Sequence, residues 1–148
     1  MSSQLRAGTV QDAASIRALL ESAGLPTDDL LTSNPLFVVA CDNDRVIATG
    51  ALQRFGTSAL LRSVVVAPDL RGSGLGRTIV QDLERLAQSS RIEQVFLLTQ
   101  TAQRFFEHRG YRVTDRQSVP HDVQGSAELR SLCPASAVCM AKTLTQRR

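Results

Sequence analysis

Aromatic residues and lysine are scarce in this sequence. Only 4% of its 148 residues are aromatic, tryptophan is absent, and Lys142 is the single lysine. The 17 Lys and Arg residues exceed the 14 Asp and Glu residues by three, but they are scattered and form no stripe interleaved with aromatic rings, which disfavours nucleic-acid binding. Nearly every cation is therefore a planar guanidinium, which suits phosphate and carboxylate groups. Codon usage or anion binding would each explain this arginine bias.

Cysteine and histidine are also few. The three cysteines, Cys41, Cys133 and Cys139, cannot all pair with one another, and a reducing compartment would keep them as thiols. The spacing from Cys133 to Cys139 is too wide for a CxxC motif, and His108 and His121 are too isolated to complete a zinc pattern. We therefore expect neither a structural disulfide nor a permanent metal site.

Long apolar runs are absent as well. No segment approaches the roughly 18 apolar residues that a membrane-spanning helix needs, so we expect no membrane partner. The first six residues lack the apolar segment and cleavage site of a secretory signal, which makes the cytoplasm the expected location. No Pro-rich or Gly/Ser-rich linker divides the composition, so residues 1–148 are predicted to form one domain.

Hydrophobic periodicity predicts a mixed α/β fold. Runs of β-prone residues joined by short turns indicate an antiparallel meander, whereas the chain after Pro68 alternates between helix and strand. Thr9 and Asp12 have the spacing of a capping box, which predicts Thr9 as the N-cap of the first helix. The predicted strands cover residues 5–7, 36–41, 45–53, 60–66, 94–98, 111–115 and 135–141, and the predicted helices cover 10–23, 27–31, 75–89, 102–109 and 122–129.

A glycine-rich segment joins the strand that ends at Val66 to the amphipathic helix that follows. Its sequence is Arg71-Gly72-Ser73-Gly74-Leu75-Gly76-Arg77. Glycines let successive backbone N–H groups converge on an anion, and the helix adds its own free N-terminal donors. A Walker loop would end in Gly-Lys-Ser/Thr, and a dinucleotide fingerprint would space its glycines differently, so both fit poorly. The segment therefore predicts a pyrophosphate site.

The sequence contains two motif-like strings, Val64-Val65-Val66-x-Pro68-x-x-Arg71-Gly72-x-Gly74-x-Gly76 and Phe105-Phe106-Glu107-x-x-Gly110-Tyr111. The first resembles the coenzyme A-binding motif of the GNAT N-acetyltransferase superfamily. The second is similar to the second conserved region of that superfamily. The resemblance covers nearly the whole chain. It implies an α/β (α+β) GNAT fold: a mixed, mostly antiparallel central sheet with splayed central strands and flanking helices. It also implies acetyl-CoA as co-substrate. The implied contacts are the backbone of Val64, Val65 and Val66 for pantetheine, the amides of Arg71, Gly72, Ser73, Gly74, Leu75, Gly76 and Arg77 for pyrophosphate, and packing by Phe106.

Three shorter strings resemble the arsenic-resistance N-acetyltransferase subfamily, which is itself similar to bacterial glutamate N-acetyltransferases. They are Leu61-Arg62-Ser63-Val64, Leu97-Leu98-Thr99-Gln100-Thr101-Ala102 and Leu132-Cys133-Pro134-Ala135-Ser136-Ala137. This resemblance implies a small amino-acid-like amine as acceptor, with arsenic- or phosphorus-containing glutamate analogues among the candidates. Relatives often dimerise through their C-terminal strands, so a homodimer is also implied. The expected substrate contacts are Arg62, Ser63, Arg130 and Cys133.

Acetyl transfer needs an oxyanion donor, a proton donor and a neutral amine. The resemblance places the oxyanion donor at the backbone N–H of Val65. Many relatives carry tyrosine at the position of Phe106, which cannot donate a proton. The donor is then Thr99, Ser136 or Cys139, or the thiolate leaves unaided. The strand over residues 60–66 contains no carboxylate, so a water chain is the preferred base, and the alternatives are Glu107 and Glu128.

Two further functions fit the same residues. An acetyltransferase acting on a protein N-terminus or lysine would need an open peptide groove. A non-catalytic coenzyme A-binding or metalloid-binding sensor would explain both the missing tyrosine and the cysteines. Turnover of acetyl-CoA with a panel of acceptors separates these alternatives.

Overall fold

The computed structural model describes residues 4–25, 27, 35–126 and 136–144. Strands and helices alternate along the chain much as the hydrophobic pattern predicts, which confirms the α/β class. The strands are β1 (Gln4–Ala7), β2 (Leu36–Asp42), β3 (Arg45–Phe55), β4 (Ser58–Val66), β5 (Gln94–Thr99), β6 (Arg112–Val113) and β7 (Val138–Thr143). The helices are α1 (Ala13–Ser22), α2 (Leu75–Ser89), α3 (Gln103–Glu107) and α4 (His121–Gln124).

The strands form one seven-stranded sheet in the order β1-β2-β3-β4-β5-β7-β6. Every neighbouring pair is antiparallel except β4 and β5, which run parallel because the chain crosses over through α2 between them. These two strands pair at three positions only, Ser58 with Gln94, Ala59 with Val95 and Leu60 with Phe96. Beyond these positions the central strands separate, so the predicted splay is confirmed.

Apolar clusters cover both faces of the sheet. Successive side chains of a strand point to opposite faces, and Leu60 and Leu61 accordingly belong to different clusters. Leu61 packs on the face covered by α2 and α3, whereas Leu60 packs beside Val123 of α4. Helix α1 covers the rest of that second face through Ile16 and Leu20. Helices therefore hold the sheet on both sides of the separating strands.

Several predicted boundaries shift by a few residues. The first helix opens with a 3-10 turn over Val10–Asp12 before α1, and the Thr9 N–H donates to Asp12 Oδ2 at 2.8 Å, so the capping box is confirmed. Strand β6 is shorter than the predicted 111–115, because the Asp115 side chain accepts from the Gln117 N–H at 3.0 Å and starts another 3-10 turn. Most of the predicted helix at 27–31, and the end of the one at 122–129, lie outside the described residues.

The edge strand β1 is fixed to the start of α1 by one ion pair. Arg6 Nη1 and Nη2 donate to Asp12 Oδ2 and Oδ1 at 2.7 and 2.8 Å, and the Thr9 N–H adds a further bond to the same carboxylate. Asp12 is only 7% exposed. The hydrogen bonds from Arg6, together with that from Thr9, outweigh the effect of burial and hold the pKa of the Asp12 carboxyl well below its usual range.

Acid should weaken this attachment. A carboxyl whose pKa is lowered by folding stabilises the protein above its unfolded pKa of about 4, and the contribution is lost as the pH falls below that value. We expect the free energy of unfolding to fall between about pH 5 and pH 2 more steeply for the wild type than for Asp12→Asn. Urea unfolding across this range measures both slopes, with Asp44→Asn in the exposed β2–β3 turn as control. Equal slopes for wild type and Asp12→Asn would contradict the assignment.

Candidate active site

A cleft of about 970 Å³ opens where β4 and β5 separate. Its walls are residues 61–66 of β4 and 97–99 of β5, the segments that follow the last paired positions. The glycine loop, the start of α2 and residues 22–25 at the C-terminal end of α1 also line the cleft. The volume is that of a site for a cofactor or small ligand.

Every charged side chain among the described residues that line the cleft is an arginine. The four are Arg62, Arg71, Arg77 and Arg109, with no Asp or Glu among these lining residues. Such a surface attracts anions. Glu107, one alternative for the general base, is exposed and does not line the cleft, and Glu128 lies outside the described residues.

The glycine loop has the geometry of an anion cradle. Gly72 and Gly74 adopt φ values of 83° and 90°, in the left-handed region that side chains disfavour. The Thr78 N–H donates to the Gly74 carbonyl at 3.1 Å as the first bond of α2. The preceding N–H groups, of Leu75, Gly76 and Arg77, have no backbone acceptor among the described residues, and all three residues line the cleft. They are the free donors that a helix N-terminus offers to phosphate.

Ser73 is the exception among the loop residues predicted to contact the cofactor. Its N–H donates to the Leu70 carbonyl at 3.3 Å, and the residue does not line the cleft. The left-handed glycines on either side turn the backbone at this point, which leaves Ser73 on the outside of the loop. The remaining six predicted loop positions do line the cleft.

A β-bulge in β4 shapes the wall of the cleft. Thr49 pairs with Val65 and Ala51 pairs with Arg62, so two residues of β4 oppose the single Gly50. Ser63, in the bulge, has a φ of 60°, which costs a side-chain-bearing residue about 1–2 kcal/mol. A side chain on Gly50 would meet α2, since a Cβ there would lie 2.5 Å from Ile79 Cγ2. A glycine inside a strand often marks a bulge, and the sequence signal for this one was available at Gly50.

The bulge shifts the alternation of β4 side chains between the two faces of the sheet. Val64 and Val66 pack with the α2 cluster, as Leu61 does, whereas Val65 is 4% exposed and packs with the α1 cluster. All three valines line the cleft, as the resemblance predicts for residues beside pantetheine. Their segment of β4 lies beyond Leu60, the last residue paired with β5.

Arg62 is buried, with 3% exposure, and lines the cleft together with Ser63. It lies on the same face of β4 as Leu60, and its Nη1 donates to Gln53 Oε1 at 3.3 Å. A guanidinium this deeply buried is not a surface group. The other two predicted substrate contacts, Arg130 and Cys133, lie outside the described residues.

The aromatic residues of α3 line the cleft beside the glycine loop. Phe106, at the position of the family's tyrosine, is 6% exposed and packs edge-on against both Phe105 and Tyr111. Tyr111 is the only tyrosine of the chain, but it lies behind Phe106 and does not line the cleft. Burial and the neighbouring Glu84 raise the pKa of its hydroxyl far above the usual range. Tyr111 therefore does not replace the missing tyrosine.

The three candidate proton donors occupy different environments. Thr99 lines the cleft, and its Oγ1 accepts from the Ala102 N–H at 3.0 Å, which leaves the hydroxyl proton free to be donated. Ser136 is exposed and outside the cleft, where its Oγ accepts from Gln100 Nε2 at 3.1 Å. Cys139 is buried on the α4 face, and burial raises the pKa of its thiol. Of the three, only Thr99 lines the cleft.

Sequence reasoning missed two residues of the site. Phe105 Cζ lies 3.5 Å from the position that a Cβ on Gly76 would occupy, so its ring contacts the first turn of α2. The Arg109 guanidinium carbon lies 5.2 Å from the centroid of that ring. The spacing of four residues on a helix was the available signal, because it places two side chains on one face.

The family model described as the Acetyltransferase (GNAT) domain matches residues 33–113, which include β4, the glycine loop, α2 and α3. The chain belongs to the GNAT acetyltransferase family. Over 130 residues it is 28% identical to an amino-acid acetyltransferase of Mannheimia succiniciproducens, a match covering 82% of this chain and 30% of that protein.

Two solved structures show the same fold. N-acetylglutamate synthase of Neisseria gonorrhoeae, complexed with coenzyme A and N-acetyl-glutamate, matches with a TM-score of 0.84 at 17% identity, over 99% of this chain and 36% of that chain. A Mycobacterium tuberculosis protein in complex with CoA matches with a TM-score of 0.81 at 24% identity, over 96% and 99% of the two chains. The GNAT chain spans about a third of the length of the Mannheimia and Neisseria proteins.

The chain is therefore a GNAT acetyltransferase domain, a family that uses acetyl-CoA. The free amides at the start of α2 fit the pyrophosphate of coenzyme A, and the separated strands give its pantetheine arm a path to the centre of the sheet. Among the described residues no group of three or more His, Cys, Asp or Glu side chains could hold a metal ion. Within the same residues, no helix has the length and apolar character that a membrane span requires.

Two alanine substitutions in the glycine loop should separate backbone strain from crowding. A Cβ on Gly74 forces a non-glycine residue to φ 90°, at a cost of about 1–2 kcal/mol, whereas a Cβ on Gly76 makes ordinary contacts with Phe105 and Val66. We expect Gly74→Ala to weaken coenzyme A binding about tenfold and Gly76→Ala to change it by less than about twofold. Calorimetric titration with coenzyme A measures both, and thermal unfolding checks that each variant folds. An equal loss in the two variants would contradict this account of the loop.

Proposed function

We propose that the domain acetylates the α-amine of an amino acid or close analogue, of the glutamate class, whose carboxylate binds to Arg62. The observation that carries the proposal is a buried guanidinium lining a cleft in which no described lining residue is acidic. A planar guanidinium binds a carboxylate through two parallel hydrogen bonds, and burial strengthens that interaction. The names of the Mannheimia and Neisseria proteins, which refer to amino acid and glutamate acetylation, support the same acceptor class.

The amine of such an acceptor also has a suitable neighbour. Residues 22–25, at the C-terminal end of α1, line the cleft, and α1 packs on the opposite face of the sheet from α2. The carbonyl end of a helix carries a partial negative charge, which attracts an ammonium group. The proposed orientation therefore places the carboxylate at Arg62 and the amine near Ser22 and Ala23.

The proposed chemistry assigns one role to each group. Bound acetyl-CoA supplies the acetyl group as a thioester. The backbone N–H of Val65, on the part of β4 that is not paired with β5, stabilises the negative charge that develops on the acetyl oxygen. Thr99, whose hydroxyl proton is free, protonates the departing sulfur, and ordered water removes the proton of the amine.

The narrower predictions belong to the same proposal. An arsenic- or phosphorus-containing glutamate analogue keeps the amino-acid end that Arg62 would bind, so it fits the same orientation. The resemblance to the arsenic-resistance subfamily supports including these compounds in an acceptor panel. A cytoplasmic location and a homodimer formed through C-terminal strands stay predictions.

Acceptor specificity provides the direct test. Thiol release from acetyl-CoA would be measured with glutamate, glutamine, aspartate, arsenic- and phosphorus-containing glutamate analogues, simple alkylamines, polyamines and a short peptide. We expect turnover with amino acids and their analogues, and little with amines that lack a carboxylate, because only the former can pair with Arg62. Turnover with the peptide alone would overturn the small-molecule assignment. Tight coenzyme A binding without turnover on any acceptor would instead favour a non-catalytic coenzyme A-binding sensor.

Substitution of Arg62 should weaken binding of the amino-acid acceptor. Replacing Arg62 by lysine keeps the charge but removes the bidentate hydrogen bonding to a carboxylate. We therefore expect the KM for the amino acid to rise about tenfold or more, with a smaller change in kcat. Gln53→Leu tests whether the hydrogen bond that positions Arg62 matters, with a smaller rise in KM expected. Residual turnover of an alkylamine without a carboxylate should be the same in wild type and Arg62→Lys. An unchanged amino-acid KM in Arg62→Lys would remove the carboxylate clamp.

A further inference from the structure

Among the described arginines that line the cleft, Arg109 is the one that the cofactor loop and the proposed acceptor site leave without a role. It is partly buried, it lines the cleft, and it lies at the end of α3 rather than on the loop or on β4. Its guanidinium carbon lies 5.2 Å from the centroid of the Phe105 ring, within the range of a cation–π interaction. The side chain is therefore held in place before any ligand binds.

The position of Arg109 relative to the pyrophosphate donors follows from two contacts. The Phe105 ring edge lies 3.5 Å from where a Cβ on Gly76 would be, beside the free N–H groups of the first turn of α2. Arg109 stands over that same ring. One aromatic ring thus separates the guanidinium from the amides that would hold the pyrophosphate.

The backbone of Arg109 is fixed as well. Lys142 Nζ donates to the Arg109 carbonyl at 2.7 Å and to both carboxylate oxygens of Glu84 at 3.1 and 3.2 Å. These bonds join β7, α2 and the turn after α3. A guanidinium held at both its backbone and its ring contact loses little conformational freedom on binding a ligand, which favours affinity.

We propose that Arg109 binds the 3′-phosphate of coenzyme A and makes the domain select coenzyme A over its 3′-dephospho form. The inference rests on coenzyme A as the cofactor and is independent of the acceptor. In coenzyme A the 3′-phosphate and the 5′-pyrophosphate are carried by the same ribose, so one sugar ring separates them. This separation is comparable to the one that the Phe105 ring creates between Arg109 and the α2 amides.

Arg71 and Arg77 also line the cleft, but both are exposed. Arg77 belongs to the first turn of α2 and Arg71 to the loop itself, so both lie next to the pyrophosphate donors. An exposed, unstacked side chain loses more rotamer freedom on ordering than one already held on an aromatic ring. These differences favour Arg109 for the second phosphate.

The experiment is a calorimetric comparison of coenzyme A with 3′-dephospho-coenzyme A at one fixed salt concentration. We expect Arg109→Gln, which keeps a stem against Phe105, to raise the Kd of coenzyme A about tenfold or more and that of the dephospho form by less than about twofold. Arg104→Gln, an exposed arginine of α3 outside the cleft, is the matched control and should change neither Kd. Thermal unfolding confirms that each variant is folded.

Other outcomes would overturn the proposal. An equal loss for the two ligands in Arg109→Gln would place the contact at the adenine or the pyrophosphate, and no loss for either would remove Arg109 from the site. A selective loss in Arg77→Gln instead of Arg109→Gln would assign the 3′-phosphate to the first turn of α2. Because no acceptor is present, failure of the amino-acid assignment would leave these binding results unchanged.

Discussion

The site depends on the early end of pairing between two parallel strands. β4 and β5 stay together for three residue pairs and then separate, although both continue for several residues. Unpaired strands in the middle of a sheet are costly, because their backbone polar groups lack partners. The separation persists because α2 and α3 cover one face and α1 and α4 cover the other, so each strand is held by packing where it lacks a neighbour. The backbone groups left over are the ones that a pantetheine arm can use.

The bulge at Gly50 and the glycine loop are consequences of the same arrangement. By placing Ser63 and Val64 opposite one residue, the bulge turns β4 so that Val64 and Val66 face α2 while Arg62 stays on the opposite face. The strand then ends, and Gly72 and Gly74 reverse the chain into α2 with its first amides directed toward the gap. Ser63, in the bulge, is a strained residue that borders the cleft, and such positions are common at functional sites.

The sequence predicted the fold and the cofactor loop because both depend on local patterns. Alternating apolar residues identified the long strands, and the spacing of Gly72, Gly74 and Gly76 identified the loop before any contact was known. Features that depend on packing between distant segments were not predictable in this way. The burial of Arg62 follows from the pairing of β3 with β4, and the exclusion of Tyr111 from the cleft follows from its packing behind Phe106. The hydrogen bond of Ser136 to Gln100, outside the cleft lining, was not predictable for the same reason.

The arginine-lined cleft also bears on how the amine loses its proton, because no described lining residue is a carboxylate base. Attack on a thioester requires a neutral amine, and a carboxylate would ordinarily remove the proton of the ammonium form. Nearby positive charges disfavour an ammonium and so lower its pKa, which increases the neutral fraction without any base. In the proposed orientation the acceptor carboxylate offsets the charge of Arg62, and the carbonyl end of α1 stabilises the ammonium form, so both reduce this effect. The other arginines would face the phosphates of the cofactor. Loss of the ammonium proton would therefore depend on the proposed water chain, because no described residue that lines the cleft is acidic.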